Sequence, residues 1–73
     1  MNNFKRARLI QGMTQAELAD ALHVSTVSVC KWELGRGLPK AKRLKEVAKI
    51  LHTTVPDLLD EQHEGRRVDG ETA

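Results

Sequence analysis

The sequence predicts a compact all-α domain built from five short helices. Three observations lead to this fold class. Apolar residues recur at helical spacing along the first 60 residues, and capping residues divide them into five segments. No segment shows the alternation of apolar and polar residues that is typical of a β-strand. Because the connections are short, about two to five residues, we expect neighbouring helices to pack around one core.

A first helix is predicted within residues 3–11. Phe4, Ala7 and Ile10 recur at helical spacing and give this segment one apolar face. Gly12 follows directly and is expected to end the helix, because glycine readily adopts a left-handed backbone.

Two further helices follow closely, each with its own N-terminal cap. Thr14 and Glu17 have the spacing of a capping box, in which the hydroxyl and the carboxylate each accept a backbone N–H at the helix start. Ser25 is expected to cap the third helix and Gly35 to end it. The apolar positions predicted to face the core are Leu18, Ala19, Leu22, Val24, Val29 and Trp32.

The fourth and fifth helices follow a turn-rich loop at residues 36–39. The fourth is the most clearly amphipathic segment, with an inner apolar row and an outer row of lysines. Thr54 and Asp57 indicate another capped start, and Pro56 suits the first turn of a short fifth helix that ends near Asp60. The inner row is Leu44, Val47, Ala48 and Leu51, and the outer row is Lys42, Lys45 and Lys49.

Composition and charge narrow the possible functions. The chain has 73 residues, room for one small domain but hardly for a deep catalytic cavity. Its net charge is +2, yet residues 1–52 carry +6 and residues 53–73 carry −4. A basic body favours a polyanionic partner such as nucleic acid, although a solvated helix surface explains the charges equally well. We place the domain in residues 1–60 and predict a disordered acidic tail at 61–73, which offers only Val68 for burial.

Other function classes find little support in the sequence. Apolar runs are too short for a transmembrane helix or a signal peptide, and a lone Cys30 is typical of a cytoplasmic protein without disulfides. We find neither a nucleophile–base pair nor a glycine-rich phosphate loop, so we expect no enzyme. His23, Cys30, His52 and His63 lack the spacing of a metal site, and we expect no metal or other cofactor.

The clearest functional pattern lies between Gln15 and Leu34. Two capped helices are joined by a short turn, and the small Ala19 is placed where they would cross, which lets them approach steeply. The second helix can then project from the domain and enter a DNA major groove, while the first lies across the DNA backbone.

These residues also carry a family resemblance. The segments Thr14-Gln15-Ala16-Glu17-Leu18-Ala19, Val24-Ser25, Val29-Cys30-Lys31-Trp32-Glu33-Leu34-Gly35 and Pro39, with further matches through Leu58-Leu59, span about residues 3–60. This pattern resembles the Cro and phage-repressor type of helix-turn-helix family. The resemblance implies a five-helix DNA-binding domain, typical of dimeric transcriptional regulators in bacteria and phages.

The resemblance also implies roles for individual residues. Those that would face base edges are Ser25, Thr26, Val27 and Lys31. Those that would contact phosphates are Arg8, Gln15, Ser28, Arg36 and Lys40. A dimer interface would comprise Leu38, Pro39, Val55 and Leu58. Arg8 and Glu33 would pair between the first and third helices and orient Arg8 towards the DNA backbone, or else form a surface ion pair of small effect.

Three positions depart from the family pattern. His23 and His52 stand at turn positions usually filled by glycine, where a left-handed backbone costs another residue roughly 1 kcal/mol. Val27 is apolar where many relatives place a polar base reader. We therefore expect slightly strained turns and no hydrogen-bonded base readout at Val27.

The sequence as a whole predicts a sequence-specific double-stranded DNA-binding regulator. We expect a small Cro-like repressor that binds a palindromic operator as a homodimer through the helix at 25–34. The alternative is an antitoxin-type interaction module, which binds a toxin protein and regulates its own gene through the same helix-turn-helix.

Overall fold

The computed structural model describes residues 2–60, which form five α-helices and no strand. The helices are α1 (Phe4–Ile10), α2 (Gln15–Leu22), α3 (Thr26–Glu33), α4 (Ala41–Ile50) and α5 (Val55–Leu59). The predicted all-α, five-helix class is therefore confirmed. The predicted acidic tail at 61–73 lies outside the described residues. Within residues 2–60, no helix combines the length and the hydrophobicity that a membrane span requires.

Side-chain caps form the predicted starts of three helices. The Thr14 hydroxyl accepts the N–H of Glu17 at 3.0 Å, and the Glu17 carboxylate accepts the N–H of Thr14 at 2.8 Å, which completes the capping box. Ser25 and Thr54 each accept an N–H three residues ahead, at 3.2 Å in both cases. Such a cap stabilises a helix by about 1 kcal/mol, so local bonds determine where α2, α3 and α5 begin.

The two histidines predicted in left-handed turns are found there. His23 follows α2 with a φ of 59°, and His52 follows α4 with a φ of 55°. Side chains other than glycine adopt this backbone at a cost, although histidine is more tolerant than most. Both turns therefore hold a residue other than glycine in a left-handed backbone, which strains them slightly.

One face of every helix contributes to a single core. α2 packs against α3 and α4, and α1 packs against α3 and α5. The rings of Phe4 and Trp32 lie 6.1 Å apart and join α1 to α3. The buried apolar residues are Phe4, Leu18, Ala19, Leu22, Val29, Trp32, Val47, Ala48, Leu51 and Leu58. The predicted inner row of α4 is buried except for the half-buried Leu44, and its three outer lysines are exposed.

Two asparagines fasten the N-terminal segment to distant helices. The Asn2 side chain donates to the Trp32 carbonyl at 2.7 Å, at the far end of α3. Asn3 donates its backbone N–H to the Leu58 carbonyl and its side-chain amide to the Asp57 carbonyl, each at 2.9 Å. These bonds hold α1 between α3 and α5.

Two sequence-based predictions are wrong. Ile10 is 69% exposed, and the buried residue that follows Phe4 on the inner face of α1 is Arg8. Leu58 is completely buried, so its side chain has no surface to offer a second subunit. It belongs to the core because α5 turns this residue towards α1 and α4.

Candidate nucleic-acid interface

A three-residue turn orients α3 relative to α2. Beyond the left-handed His23, the N–H of Val24 donates back to the Ala19 carbonyl at 3.0 Å. Val24 is half-buried against the core, and Ser25 then caps α3. The direction in which α3 leaves the turn is thus determined by backbone bonds and by one apolar contact.

A buried ion pair joins the end of α3 to α1. The Arg8 Nε donates to Glu33 Oε2 at 2.6 Å, and its Nη2 donates to Glu33 Oε1 at 3.2 Å. The remaining nitrogen, Nη1, donates to the Met13 carbonyl at 2.8 Å. The Arg8 side chain is only 8% exposed, so this is not a surface ion pair. The direct phosphate contact predicted for Arg8 stays a prediction, which this burial disfavours. Arg8 instead positions α1 and α3 relative to each other.

The electrostatics of this pair explain why it contributes to the stability of the domain. Hydrogen bonding to Glu33 and the attraction of its negative charge raise the pKa of Arg8, against the opposing effect of burial. Removing one member of a buried pair typically costs about 3–5 kcal/mol, because the other charge is left buried and unpaired. We therefore expect the pair to hold α3 rigidly in place.

Gln15 extends the ion pair into a link among three helices. Its side-chain amide donates to Glu33 Oε1 at 3.0 Å and so connects the first residue of α2 to α1 and α3. Within residues 2–60, the backbone N–H groups of Gln15 and Ala16 have no acceptor. Free N–H groups at a helix start favour an anion. The phosphate contact predicted for Gln15 is compatible with its position at the start of α2 and remains a prediction.

The opposite sides of α3 differ sharply. Val29, Trp32 and Glu33 are buried on the inner side. At about 100° per residue, Val27, Lys31 and Leu34 line up on the outer side. All three are exposed, with Val27 at 63% and Leu34 at 52%. A polar or charged ligand can therefore approach α3 along its whole length from outside.

The other predicted α3 residues lie at its first turn. Thr26 is exposed, and the hydroxyls of Ser25 and Ser28 lie 3.2 Å apart in a hydrogen bond. Ser25 was predicted to face a base and Ser28 a phosphate. The two hydroxyls therefore lie side by side at the start of α3.

The loop after α3 carries the two remaining predicted phosphate ligands. Arg36 donates its backbone N–H to the Lys31 carbonyl at 2.9 Å, which ties the loop to the end of α3. Lys40 directly precedes α4. Both side chains are exposed and leave their charges available to an anion.

Arg43 is a positioning residue that the sequence analysis missed. Its Nη1 donates to the Leu22 carbonyl, in the last turn of α2, at 2.8 Å and to Glu46 at 3.0 Å. The spacing of Arg43 and Glu46 on one helix is visible in the sequence. The contact with Leu22 depends on how α4 lies against α2, and no local pattern indicates it.

The remaining predicted interface residues lie at the surface. Leu38 is 59% exposed, whereas Pro39 and Val55 are half-buried. Leu38 borders a shallow cleft that Trp32, Pro39 and Lys40 also line. A partner can therefore reach Leu38, and the interface role of these three residues stays a prediction.

Comparison with known proteins identifies the fold family. A family model described as "Helix-turn-helix" matches residues 4–58. The chain belongs to the helix-turn-helix family. The predicted resemblance to its Cro and phage-repressor type is confirmed.

Two relatives of this helix-turn-helix chain carry regulator names. It is 36% identical over 55 residues to the HTH-type transcriptional activator BcrR of Enterococcus faecalis, covering 75% of this chain and 27% of BcrR. It is 38% identical over 45 residues to the cryptic phage CTXphi transcriptional repressor RstR of Vibrio cholerae serotype O1, covering 62% of this chain and 40% of RstR. The chain thus spans less than half the length of either relative.

A solved structure shares the helix-turn-helix fold. One chain of a complex titled SinR protein/SinI protein matches with a TM-score of 0.73 and 29% sequence identity. The match covers 92% of the present chain and 64% of the solved one. The five-helix arrangement is therefore shared with a larger protein.

Proposed function

We propose that this chain is a sequence-specific double-stranded DNA-binding transcriptional regulator, a small Cro-like repressor. The observation that carries the proposal is the contrast between the two sides of α3. The outer side is exposed along its length, and the inner side is held by core packing and by the Arg8–Glu33 pair. A rigid helix with one free side meets the requirement for insertion into the major groove. The regulator names of the relatives support the same function.

In this proposal the exposed residues of α3 contact the bases. Lys31 donates to the O6 and N7 acceptors of a guanine, while Thr26 and Val27 meet thymine methyl groups. Ser25 contributes its hydroxyl beside them. These contacts provide sequence preference, because base edges differ in the major groove.

Phosphate contacts come from the residues that surround α3. Gln15 and the free N–H groups at the start of α2 hold one phosphate, and Ser28, Arg36 and Lys40 hold others. Arg8 takes no direct part, because its guanidinium is buried against Glu33. It acts by holding α1 and α3 in fixed positions relative to each other.

A homodimer on a palindromic operator is the form we propose for binding. The interface comprises Leu38, Pro39 and Val55, all of which retain exposed surface, and excludes the buried Leu58. A two-fold contact there places two α3 helices in major grooves about 34 Å apart. Because the patch is small, association is weak without DNA and cooperative on it. Repression follows from occupation of a promoter.

Salt dependence tests whether DNA is the ligand. If a dimer neutralises several phosphates per subunit, the logarithm of affinity falls linearly with the logarithm of salt concentration, with a slope steeper than about −4. Fluorescence anisotropy with a duplex selected from a random library measures the slope. Affinity that is independent of salt contradicts DNA binding.

A surface substitution tests the dimer separately. Val55→Asp places a charge in the proposed interface and reduces cooperative binding to a full palindrome, whereas binding to a half-site is retained. Sedimentation with and without DNA follows the stoichiometry. Unchanged affinity of Val55→Asp for the full palindrome refutes this interface.

A second candidate function is a module that binds a partner protein such as a toxin and regulates its own gene. It is favoured by the exposed Leu38 beside a cleft that both apolar and charged side chains line, and by the similarity to a chain solved in a two-protein complex. Co-purification of a small toxic protein whose binding is lost in Leu38→Asp supports this candidate. A protein that binds DNA fully and retains no partner supports the repressor.

A further inference from the structure

The outer side of α3 presents a restricted set of chemical groups. Its side chains with surface access are two hydroxyls, two alkyl groups, a half-buried thiol and one cation, carried by Thr26, Ser28, Val27, Leu34, Cys30 and Lys31. Among residues 26–34 no side chain carries an amide, and Glu33 carries the one carboxylate. That carboxylate is buried and accepts hydrogen bonds from Arg8 and Gln15. The surface therefore lacks a free amide or carboxylate.

This composition limits which base edges α3 can read. Adenine is typically read by a bidentate amide, and the amino group of cytosine by a carboxylate acceptor. The outer side of α3 offers neither group, and the hydroxyls at its start can donate or accept a hydrogen bond, so they discriminate little between bases. A lysine ammonium can donate to guanine, and an alkyl group can contact the C5 methyl of thymine, which is the apolar group that bases present in the major groove.

Val27 is the alkyl group placed to make this contact. It lies in the first turn of α3, and recognition helices reach base edges with their N-terminal residues. Its side chain is 63% exposed and takes little part in the core. Lys31 lies one helical turn further along the same side. Leu34 lies nearly two turns beyond Val27, towards the C-terminal end of the helix.

We propose that α3 recognises its operator through a methyl group: Val27 contacts the C5 methyl of a thymine, and 5-methylcytosine, which presents the same methyl, is accepted in place of that thymine. The proposal rests on the DNA-binding function proposed above and names the class of DNA that this helix takes. Each half-site contains a methylated pyrimidine beside a guanine contacted by Lys31.

Comparing four pyrimidines at one position separates the contribution of the methyl group to affinity from that of the rest of the base. In an operator selected from a random library, each thymine of the half-site is replaced in turn by uracil, 5-methylcytosine or cytosine. At the position contacted by Val27, thymine binds about fourfold more tightly than uracil, the effect of burying one methyl group. 5-Methylcytosine exceeds cytosine by a similar factor, because the same methyl is restored.

Matched variants assign the effect to one side chain. Val27→Ala lowers the thymine-to-uracil ratio at that position towards one, and it preserves folding because the residue is exposed and alanine favours helix. Leu34→Ala, which shortens another exposed alkyl side chain on the same side, leaves the ratio near four. A wild-type ratio of one at every thymine, or ratios above one that Val27→Ala lowers at none of these positions, overturns the methyl contact of Val27 while DNA binding stands. Failure to enrich any sequence contradicts the DNA-binding function itself.

Discussion

The turns that follow α2 and α4 have similar geometry, yet the helices that they precede differ in exposure and in role. In each turn a histidine adopts a left-handed backbone, and the next N–H returns to an alanine carbonyl. The Val24 N–H reaches Ala19 at 3.0 Å, and the Thr53 N–H reaches Ala48 at 2.8 Å. A hydroxyl then caps the following helix in both cases. The local geometry of the two turns is nearly the same.

The helices after the turns differ in length and in exposure. α3 has 8 residues and keeps a free outer side, whereas α5 has 5 residues and buries Leu58 completely. α3 is also anchored by Glu33, while α5 is anchored by Leu58 and by bonds from Asn3. The turn determines where a helix begins, and the residues beyond it determine whether the helix supports the core or presents a surface.

The largest expected effect comes from the anchor of α3. Glu33→Ala lowers the free energy of unfolding by about 3–5 kcal/mol, because it leaves the Arg8 guanidinium buried without its partner. Removing both charges in Arg8→Met with Glu33→Leu costs much less, since no unpaired charge remains. Urea denaturation of the three proteins measures the difference. A loss below about 1 kcal/mol in Glu33→Ala would mean that the pair behaves as an exposed one.

A smaller effect compares the two helix caps. Ser25→Ala and Thr54→Ala each lower the free energy of unfolding by about 1 kcal/mol, because each removes the acceptor of one N–H at a helix start. Ser25→Ala also removes the hydrogen bond with Ser28. We expect only this variant to weaken DNA binding, as seen in parallel melts and binding isotherms. Equal binding losses for both variants would erase the functional distinction between α3 and α5.

The smallest effect concerns the histidines. His23→Gly and His52→Gly each stabilise the domain by up to about 1 kcal/mol, because glycine adopts the left-handed backbone without steric cost. Since the φ values of the two residues differ by only a few degrees, we expect similar gains. Thermal melts of the two variants check this expectation. Stabilisation of one variant and destabilisation of the other would show that the turns are not equivalent.

The helix starts and the turns were predictable because short-range bonds determine them. Thr14, Ser25 and Thr54 satisfy N–H groups three residues ahead, a relation that the sequence displays directly. The left-handed histidines follow from comparison with glycine at the same turn position. The amphipathic period of α4 likewise predicted its buried and exposed sides.

The errors and omissions all involve distant partners. Arg8 replaces Ile10 on the inner side of α1 because Glu33, 25 residues away, neutralises it. Arg43 reaches the Leu22 carbonyl across 21 residues, and no local periodicity encodes that distance. In the candidate site, the position of Lys31 on the outer side was predictable from helical spacing. The burial of Arg8, which was predicted to contact a phosphate, was not predictable from local spacing.

The most direct test of α3 as the reading helix is a random-library binding selection with matched lysine variants. Lys31→Ala is expected to lose about 1–3 kcal/mol of binding free energy and to relax the preference at one base pair per half-site. Lys40→Ala, which removes the same charge from a proposed phosphate ligand, is expected to weaken all sequences alike and to retain the wild-type sequence profile. Identical sequence profiles for the two variants would contradict base reading by Lys31.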